Sequence, residues 1–407
     1  MKNRLVLSLF IVIAVILALS SFTRAEVPAL PRECKQQPLG VNDPKTPEDD
    51  FQVVLICVPE NWNRNLVIYA HGFVPPQFPL ALPINELTID TTFVPQLFLE
   101  QGFAFATSSY HKNGAVTEQA IGDLLDLLNF FQASVGLPSH VFIIGASEGG
   151  LTAIQLLEQH PDQFAGGLAL CAPVGGAPHQ IKYLGDFRVV FDYFFPDVFS
   201  FGAFNVPLEA FKQWDTYVTQ ITAEMTSDVG ATTPFFSVTR AAVDPSSFTT
   251  LIRTAVETAL DVLFYSVWET PDLIATAGGI PYDNRFTLYF GLTNNLALNR
   301  HVERVKGDSE AERYARMFYQ TKGNLQRPLV TLHNLLDPIV PFDHELIYRG
   351  LVAGQQKSRF LTAVPVPGYG HCEFTTDQVL GAFGTMIQQA AAFTGPRDGA
   401  VTSTCAP

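Results

Sequence analysis

The pentapeptide Gly145-Ala146-Ser147-Glu148-Gly149 constrains this chain more than any other stretch. It lies between an apolar run, Val141-Phe142-Ile143-Ile144, and a helix-like run from Leu151 to Gln159. A strand must therefore give way to a helix within a few residues. A serine at the apex of so sharp a turn is strained and leaves no room for side chains on its flanks. Glycine at 145, 149 and 150 meets that demand. The competing reading is a βα loop without chemistry, and the rest of the chain bears on that choice.

The apolar runs alternate between strand-like and helix-like periods. Val53 to Val58 and Leu66 to Ala70 read as early strands separated by the turn Pro59-Glu60-Asn61, and Phe103 to Thr107 reads as another. Ala120, Leu124, Leu128 and Phe131 recur at helical spacing, which predicts an amphipathic helix over 116–135. Val141 to Gly145 feeds Ser147, and the helix after it stops at His160-Pro161. Gly167 to Cys171 is the next strand, closed by Ala172-Pro173. Short, fully apolar strands alternating with helices predict an α/β architecture whose parallel sheet is covered on both faces.

The rhythm breaks after residue 177, and the next clear buried strand is Leu329 to Leu332. The stretch between them is helix-like. Phe187, Phe191, Phe194 and Phe195 form one apolar stripe, and Phe211, Val218, Ile221 and Met225 form another. A third runs from Ile252 to Val267 and is stopped by Pro271. An insertion here lies over the C-terminal ends of the strands, where the serine turn also points. It reads as a helical cap over 178–327, dividing the core into 26–177 and 328–407. Its phenylalanines either pack cap on core or, for Phe191, Phe194 and Phe195, line an apolar substrate pocket. Beyond the cap come a helix from His344, a strand from Phe360 to Val364, and a last helix from Thr376 to Phe393.

With 407 residues, 47% of them hydrophobic, the chain can bury a large core. Its formal net charge is −14, and residues 1–25 hold three basic and no acidic residues, so the remainder is more acidic still. Nucleic acid and anionic lipid are disfavoured as partners. Lys2 and Arg4 precede an apolar run from Leu5 to Leu19, and Thr23-Arg24-Ala25 follows. That is the layout of a secretory signal peptide over 1–25, cut after Ala25. The competing reading is an uncleaved anchor, but the run is short for a span and no basic cluster follows it. A secreted or periplasmic location is expected, with no stable membrane span in the mature protein. The five cysteines would then lie where disulfides persist. Fifteen pairings of two bridges and one thiol exist; Cys34–Cys57 and Cys372–Cys405 are favoured, with Cys171 a buried thiol. No C-x-x-C and no His/Cys cluster at metal-ligand spacing occurs, so neither a metal nor a cofactor is implied. The sequence is silent on oligomeric state.

A serine hydroxyl needs an imidazole to take its proton, and the imidazole needs an acid to fix its tautomer. The acid candidate is Asp337, just beyond an apolar strand in Leu329-Val330-Thr331-Leu332-His333-Asn334-Leu335-Leu336-Asp337-Pro338. Asp343, its rival, precedes His344-Glu345 and is adequately explained as an N-cap. The base candidate is His371, on the glycine-rich loop Pro367-Gly368-Tyr369-Gly370-His371-Cys372. His140, His160, His179, His301 and His344 sit at turns or helix ends, where solvent exposure is expected. His333 precedes the acid. His111, after Thr107-Ser108-Ser109-Tyr110, could edge the pocket. Leu66-Val67-Ile68-Tyr69-Ala70-His71-Gly72-Phe73 ends a strand in His-Gly, a turn that can aim a backbone N–H at an oxyanion. Phe73 N–H and Glu148 N–H are the expected donors, with His71 supporting the loop.

His71-Gly72, Ser147, Asp337 and His371 agree in kind, order and context. As a set they resemble the α/β-hydrolase superfamily over 50–395. The Gly145–Gly150, Asp337-Pro338-Ile339-Val340-Pro341 and Gly370-His371 segments carry the likeness. The resemblance implies a mostly parallel central sheet flanked by helices, with a cap inserted after the strand that follows the nucleophile helix. Asp186-Phe187-Arg188 to Phe194-Phe195-Pro196 is similar to the cap of secreted bacterial hydrolases. His371-Cys372 also resembles the tannase and feruloyl esterase group, whose cysteines flank and bridge the catalytic serine and histidine. Residue 146 is alanine here, so that bridge cannot form and that substrate class is not carried over. The expected activity is hydrolysis of a small, moderately apolar carboxylic ester. The alternatives are a prolyl- or aminopeptidase-type hydrolase, which should recognise a free amine with acidic cap residues, and a non-catalytic binding protein on a hydrolase scaffold.

Overall fold

Residues 66–70 and 141–144 are apolar at every position, yet they serve two faces. Leu66, Ile68, Ala70, Val141 and Ile143 enter one buried cluster, while Val67, Tyr69, Phe142 and Ile144 enter another. A strand alternates its side chains, so a fully apolar strand demands cover on both sides. The computed structural model, which describes residues 30–40, 51–89 and 92–393, provides that cover.

Ten strands are present among these residues: β1 Cys34–Gly40, β2 Phe51–Cys57, β3 Asn65–Ala70, β4 Thr88–Ile89, β5 Thr92–Phe93, β6 Ala104–Ser108, β7 His140–Ala146, β8 Gly166–Leu170, β9 Leu329–Leu336 and β10 Leu361–Tyr369. Eight of them form one sheet in the order β1-β2-β6-β3-β7-β8-β9-β10, and β4 with β5 makes a separate hairpin. The β1–β2 and β2–β6 pairs are antiparallel, and every later pair in the large sheet is parallel.

The helices are α1 Val94–Glu100, α2 Thr117–Ser134, α3 Glu148–Gln159, α4 Ala177–Phe194, α5 Trp214–Ser227, α6 Val229–Thr239, α7 Phe248–Trp268, α8 Thr270–Ala277, α9 Asn295–His301, α10 Ser309–Phe318, α11 Asp343–Gly354 and α12 Thr376–Phe393. One sheet face packs on α2, α3 and α11 through Leu124, Phe131, Ile154 and Tyr348. The other packs on α1 and α12 through Phe98, Phe383 and Met386. Burying each such side chain contributes about 1.5–3 kcal/mol.

Helices α4–α10 fall between β8 and β9 and have a core of their own. Phe235 of α6 is its hub, with Phe187, Phe191, Phe194 and Phe195 ringed around it at 4.9, 5.7, 6.2 and 6.0 Å between ring centroids. Pro271 does not merely stop the third apolar stripe. It sits in the first turn of α8, where a missing N–H costs nothing. No helix among the described residues is long and apolar enough to cross a membrane.

Several expectations need correction. Asp343 is not an N-cap: it is the first residue of α11, makes no capping hydrogen bond, and lies 3.1 Å from His179 Nε2. His344 is fully buried rather than exposed. Its Nδ1 accepts from Gly175 N–H and its Nε2 meets Gln180 Oε1, with burial holding it neutral, well below its usual value. Cys34 is bonded to Cys57, as expected, but Cys171 is bonded to Cys372 and is no free thiol. The expected Cys372–Cys405 bridge therefore does not form. Residue 405 and the signal segment lie outside the described residues.

Candidate active site

Ser147 stands between β7 and α3 with φ 53° and ψ −124°, a conformation that L side chains rarely adopt. The turn is tight enough that a Cβ on Gly145 would come within 2.1 Å of the Gly149 carbonyl, and one on Gly149 within 2.1 Å of the Ala70 carbonyl. Any side chain at either position would push the elbow off the sheet.

Asp337 follows β9 and is 1% exposed. Its Oδ1 accepts from the N–H groups of Ile339 and Val340, both at 2.9 Å, which leaves Oδ2 for another partner. That partner is His371, whose Nδ1 lies 2.7 Å away. The Nε2 of the same ring lies 3.0 Å from Ser147 Oγ. Hydroxyl, imidazole and carboxylate thus form one hydrogen-bonded line across three loops at the C-terminal edge of the sheet.

Each loop is held from several directions. Cys372, next to His371, is bonded to Cys171 at the end of β8. Tyr369 meets Thr258 Oγ1 of α7 at 2.9 Å. From α4, the Tyr183 hydroxyl donates to the Pro338 carbonyl at 2.6 Å and Gln180 donates to the Ile339 carbonyl at 2.7 Å. Behind Asp337 lies buried His333, with Nε2 3.6 Å from Asp337 Oδ2 and Nδ1 3.4 Å from Glu345 Oε1.

The loop after β3 faces the serine. Gly72 N–H donates to Glu86 Oε2 at 2.9 Å. His71 is buried, stacked on Tyr110 at 3.9 Å, and its Nδ1–H donates to the Gly72 carbonyl at 2.7 Å. Phe73 N–H has no acceptor among the described residues, and Glu148 N–H is one of the unpaired groups in the first turn of α3. Both remain open to a ligand. The Glu148 side chain turns away to the start of α2, accepting from Val116 N–H at 2.9 Å and Thr117 Oγ1 at 3.2 Å. Burial raises its carboxyl to about 7.

Two cavities meet at Ser147, and Phe73 and Tyr265 line both. The one on the His371 side is about 350 Å³ and runs beneath Ile89 and Val94 to Phe98, Phe374 and Val379. The one on the Glu148 side is about 70 Å³ and reaches under the cap to Leu184, Leu273 and Glu269. Burial together with the nearby Glu148 and Asp272 carboxylates raises Glu269 to about 8.

The expected pocket residues are elsewhere. Phe191, Phe194 and Phe195 turn inward around Phe235, because a phenylalanine stripe is best buried against other rings. His111 is held by Asp123, with Nδ1 2.8 Å from Oδ2. None of the four lines either cavity at Ser147. Tyr265, Glu269, Glu86 and His333 were not singled out as site residues from sequence. Only Cys372, adjacent to His371, with Cys171 ending the strand beside the elbow, offered a readable signal of its role.

The sheet begins antiparallel and continues parallel, with the elbow after its fifth strand and the acid and imidazole after its seventh and eighth. This is the α/β-hydrolase fold. No protein-family model matches the chain. Over 56 residues it is 38% identical to "Putative esterase NocK" of Nocardia uniformis subsp. tsuyamanensis, a match covering 14% of this chain and 16% of NocK. Candida antarctica lipase A is similar at 16% identity and TM-score 0.44, over 86% of this chain and 75% of the lipase. Est1E from Butyrivibrio proteoclasticus, solved with ferulic acid bound, is similar at 13% identity and TM-score 0.40, over 84% of this chain and 96% of Est1E. Pyrococcus horikoshii acylaminoacyl peptidase gives 10% identity and TM-score 0.39, over 89% of this chain but 41% of the peptidase. At such distances the sheet order and the elbow, not these neighbours, establish the α/β-hydrolase fold.

Proposed function

We propose that this chain is an exported serine hydrolase acting on carboxylic esters. The observation that carries the reading is the His371 ring, 3.0 Å from Ser147 Oγ on one side and 2.7 Å from Asp337 on the other. His371 Nε2 takes the hydroxyl proton as Oγ attacks the ester carbonyl. Phe73 and Glu148 N–H groups receive the oxyanion. The tetrahedral adduct collapses, His371 gives its proton to the departing alcohol oxygen, and an acyl group remains on Ser147. Water, deprotonated by His371, then releases the acid and restores the serine. Asp337 holds the ring in the tautomer with Nδ1–H and supports its charged form. The two disulfides favour an oxidising compartment.

The test is turnover of p-nitrophenyl acetate together with fluorophosphonate labelling. Ser147→Ala should abolish both, and Asp337→Asn should lower kcat by about 10⁴-fold. Full turnover by Ser147→Ala, or no labelling of the wild type, would overturn the reading, the latter in favour of a binding protein.

One observation favours an aminopeptidase-type activity instead. Glu148 and Glu269 line the smaller cavity, and neither has a cationic partner among the described residues. The cap acids Asp186, Asp192 and Glu209 are occupied by Lys182, Arg188 and Lys212. Faster cleavage of an aminoacyl anilide than of the acetate ester would decide for the peptidase.

A further inference from the structure

The two cavities at Ser147 differ in size, and only one of them contains the imidazole. His371 and Cys372 line the cavity of about 350 Å³, and neither lines the cavity of about 70 Å³. An ester carbonyl on Ser147 has two substituents, and the chemistry treats them differently. The leaving alcohol oxygen must come within hydrogen-bond reach of His371 Nε2 to be protonated. The acyl carbon chain has no such need and must clear the imidazole so that water can enter for the second step. Phe73 and Tyr265, with ring centroids 5.5 Å apart, line both cavities where they meet at the serine.

We infer that the larger cavity takes the alcohol portion of the substrate and the smaller one the acyl portion, so that the enzyme acts on short-chain acyl esters of bulky apolar alcohols. The inference rests on the serine-hydrolase reading above. The larger cavity falls within the usual range for small-molecule sites, ~300–1,000 Å³. The smaller one, about 70 Å³ against about 350 Å³, has room only for a shorter group. Its walls are close-packed residues of cap and core, Leu151, Ile181 and Leu273 among them. The larger cavity is bounded instead by the short β4–β5 hairpin and the start of α1, through Ile89 and Val94, both only partly buried. Departure of the alcohol empties the chamber that holds His371, which admits the hydrolytic water where it can be deprotonated. Glu269, which lines the smaller chamber, also disfavours an anionic acyl chain once ionised.

Octyl acetate and methyl nonanoate are isomers, so they separate the two assignments at constant composition and apolarity. Octyl acetate is expected to show kcat/KM about 10-fold or more above methyl nonanoate, since methylenes that cannot be housed cost at least a kcal/mol in sum. Val94→Phe, or Ile89→Phe should the first fold poorly, should lower the ratio of kcat/KM for octyl acetate to that for methyl acetate several-fold. Leu184→Ala should raise turnover of methyl nonanoate. Equal or reversed preference between the isomers, with turnover that still depends on Ser147, would overturn this assignment alone. Absence of Ser147-dependent turnover on every ester, with no fluorophosphonate labelling, would overturn the serine-hydrolase reading and this one with it.

Discussion

Cys171 is joined to Cys372, the residue that directly follows His371. The bridge ties the loop that carries the imidazole to the end of β8, the strand beside the one that carries Ser147. It closes 201 residues of chain, including the whole segment from α4 to α10. A bridge over so long a loop restricts the unfolded chain strongly, typically by 2–4 kcal/mol. It also limits how far His371 can drift from Ser147.

The Cys171→Ala, Cys372→Ala double variant is therefore expected to lose about 2–4 kcal/mol of stability in chemical denaturation. It should also lose several-fold in kcat. The Cys34→Ala, Cys57→Ala pair is the control: it loosens the β1–β2 edge, far from the imidazole loop, and should leave kcat unchanged. Equal effects on kcat from both pairs would show that the Cys171–Cys372 bridge does not serve the imidazole.

Glu269 sets a second expectation. Burial raises it to about 8, and Glu148 to about 7, from ordinary values of 4.5. Between 4.5 and about 8 the folded protein retains protons that the unfolded chain has released. Stability therefore falls as pH rises through that window, and the loss is complete above it. Glu269→Gln removes one buried charge without changing shape. Its Tm should exceed the wild type's at pH 9 and match it near pH 4. A constant difference at both pH values would show that Glu269 does not titrate late.

These groups also show what the sequence could and could not disclose. Strands β3, β6, β7 and β8 were readable because each is a short apolar run between breakers, and the core helices because their buried residues recur at helical spacing. Ser147, Asp337 and His371 were readable because each stands at a strand end, in the order a hydrolase needs. Strand β1, Cys-Lys-Gln-Gln-Pro-Leu-Gly, was not: it is a polar edge strand whose partner ladder and disulfide, not its own apolar content, hold it in place. Strands β4 and β5, two residues each, are too short to carry a period. Phe191 and Tyr265 illustrate the harder failure. Both lie on amphipathic cap helices, and the period that marks a buried face says nothing about whether that face meets another helix or a cavity. Only tertiary packing distinguishes Phe191 against Phe235 from Tyr265 beside Ser147.

His333 gives stability the same direction of pH dependence as Glu269, but here the variant is expected to lower Tm. Burial alone would lower this imidazole, but the Glu345 carboxylate 3.4 Å from Nδ1, the Asp337 charge and the hydrogen bond to the Val340 carbonyl outweigh burial and hold it above its usual 6.5. An imidazole raised in the folded state contributes stability that is fully present below 6.5 and lost as pH rises through the raised value. Glu345→Gln should therefore lower Tm most near pH 6, and the deficit should shrink by pH 9. A deficit that is the same across this range would mean that His333 stays neutral throughout.

Glu86 governs the other side of the serine. Its Oε2 accepts from Gly72 N–H at 2.9 Å and from the Tyr69 hydroxyl at 3.1 Å, and Gly72 immediately precedes the Phe73 N–H proposed to receive the oxyanion. Gly72 itself is close-packed: a Cβ there would lie 3.3 Å from both the Ala146 carbonyl and Ser147 Cβ. The loop thus has little room, and one carboxylate oxygen fixes its approach to the elbow. Glu86→Ala should let the Phe73 N–H swing away, lowering kcat by about 10- to 100-fold with little change in KM, because the donor acts on the transition state rather than on the bound ester. Glu86→Gln keeps an oxygen that can accept both bonds and should recover most of kcat. A charge effect on His371 would instead leave Gln as impaired as Ala and would shift the acid limb of the pH profile of kcat/KM, so the Gln variant separates positioning of the oxyanion donor from simple electrostatics.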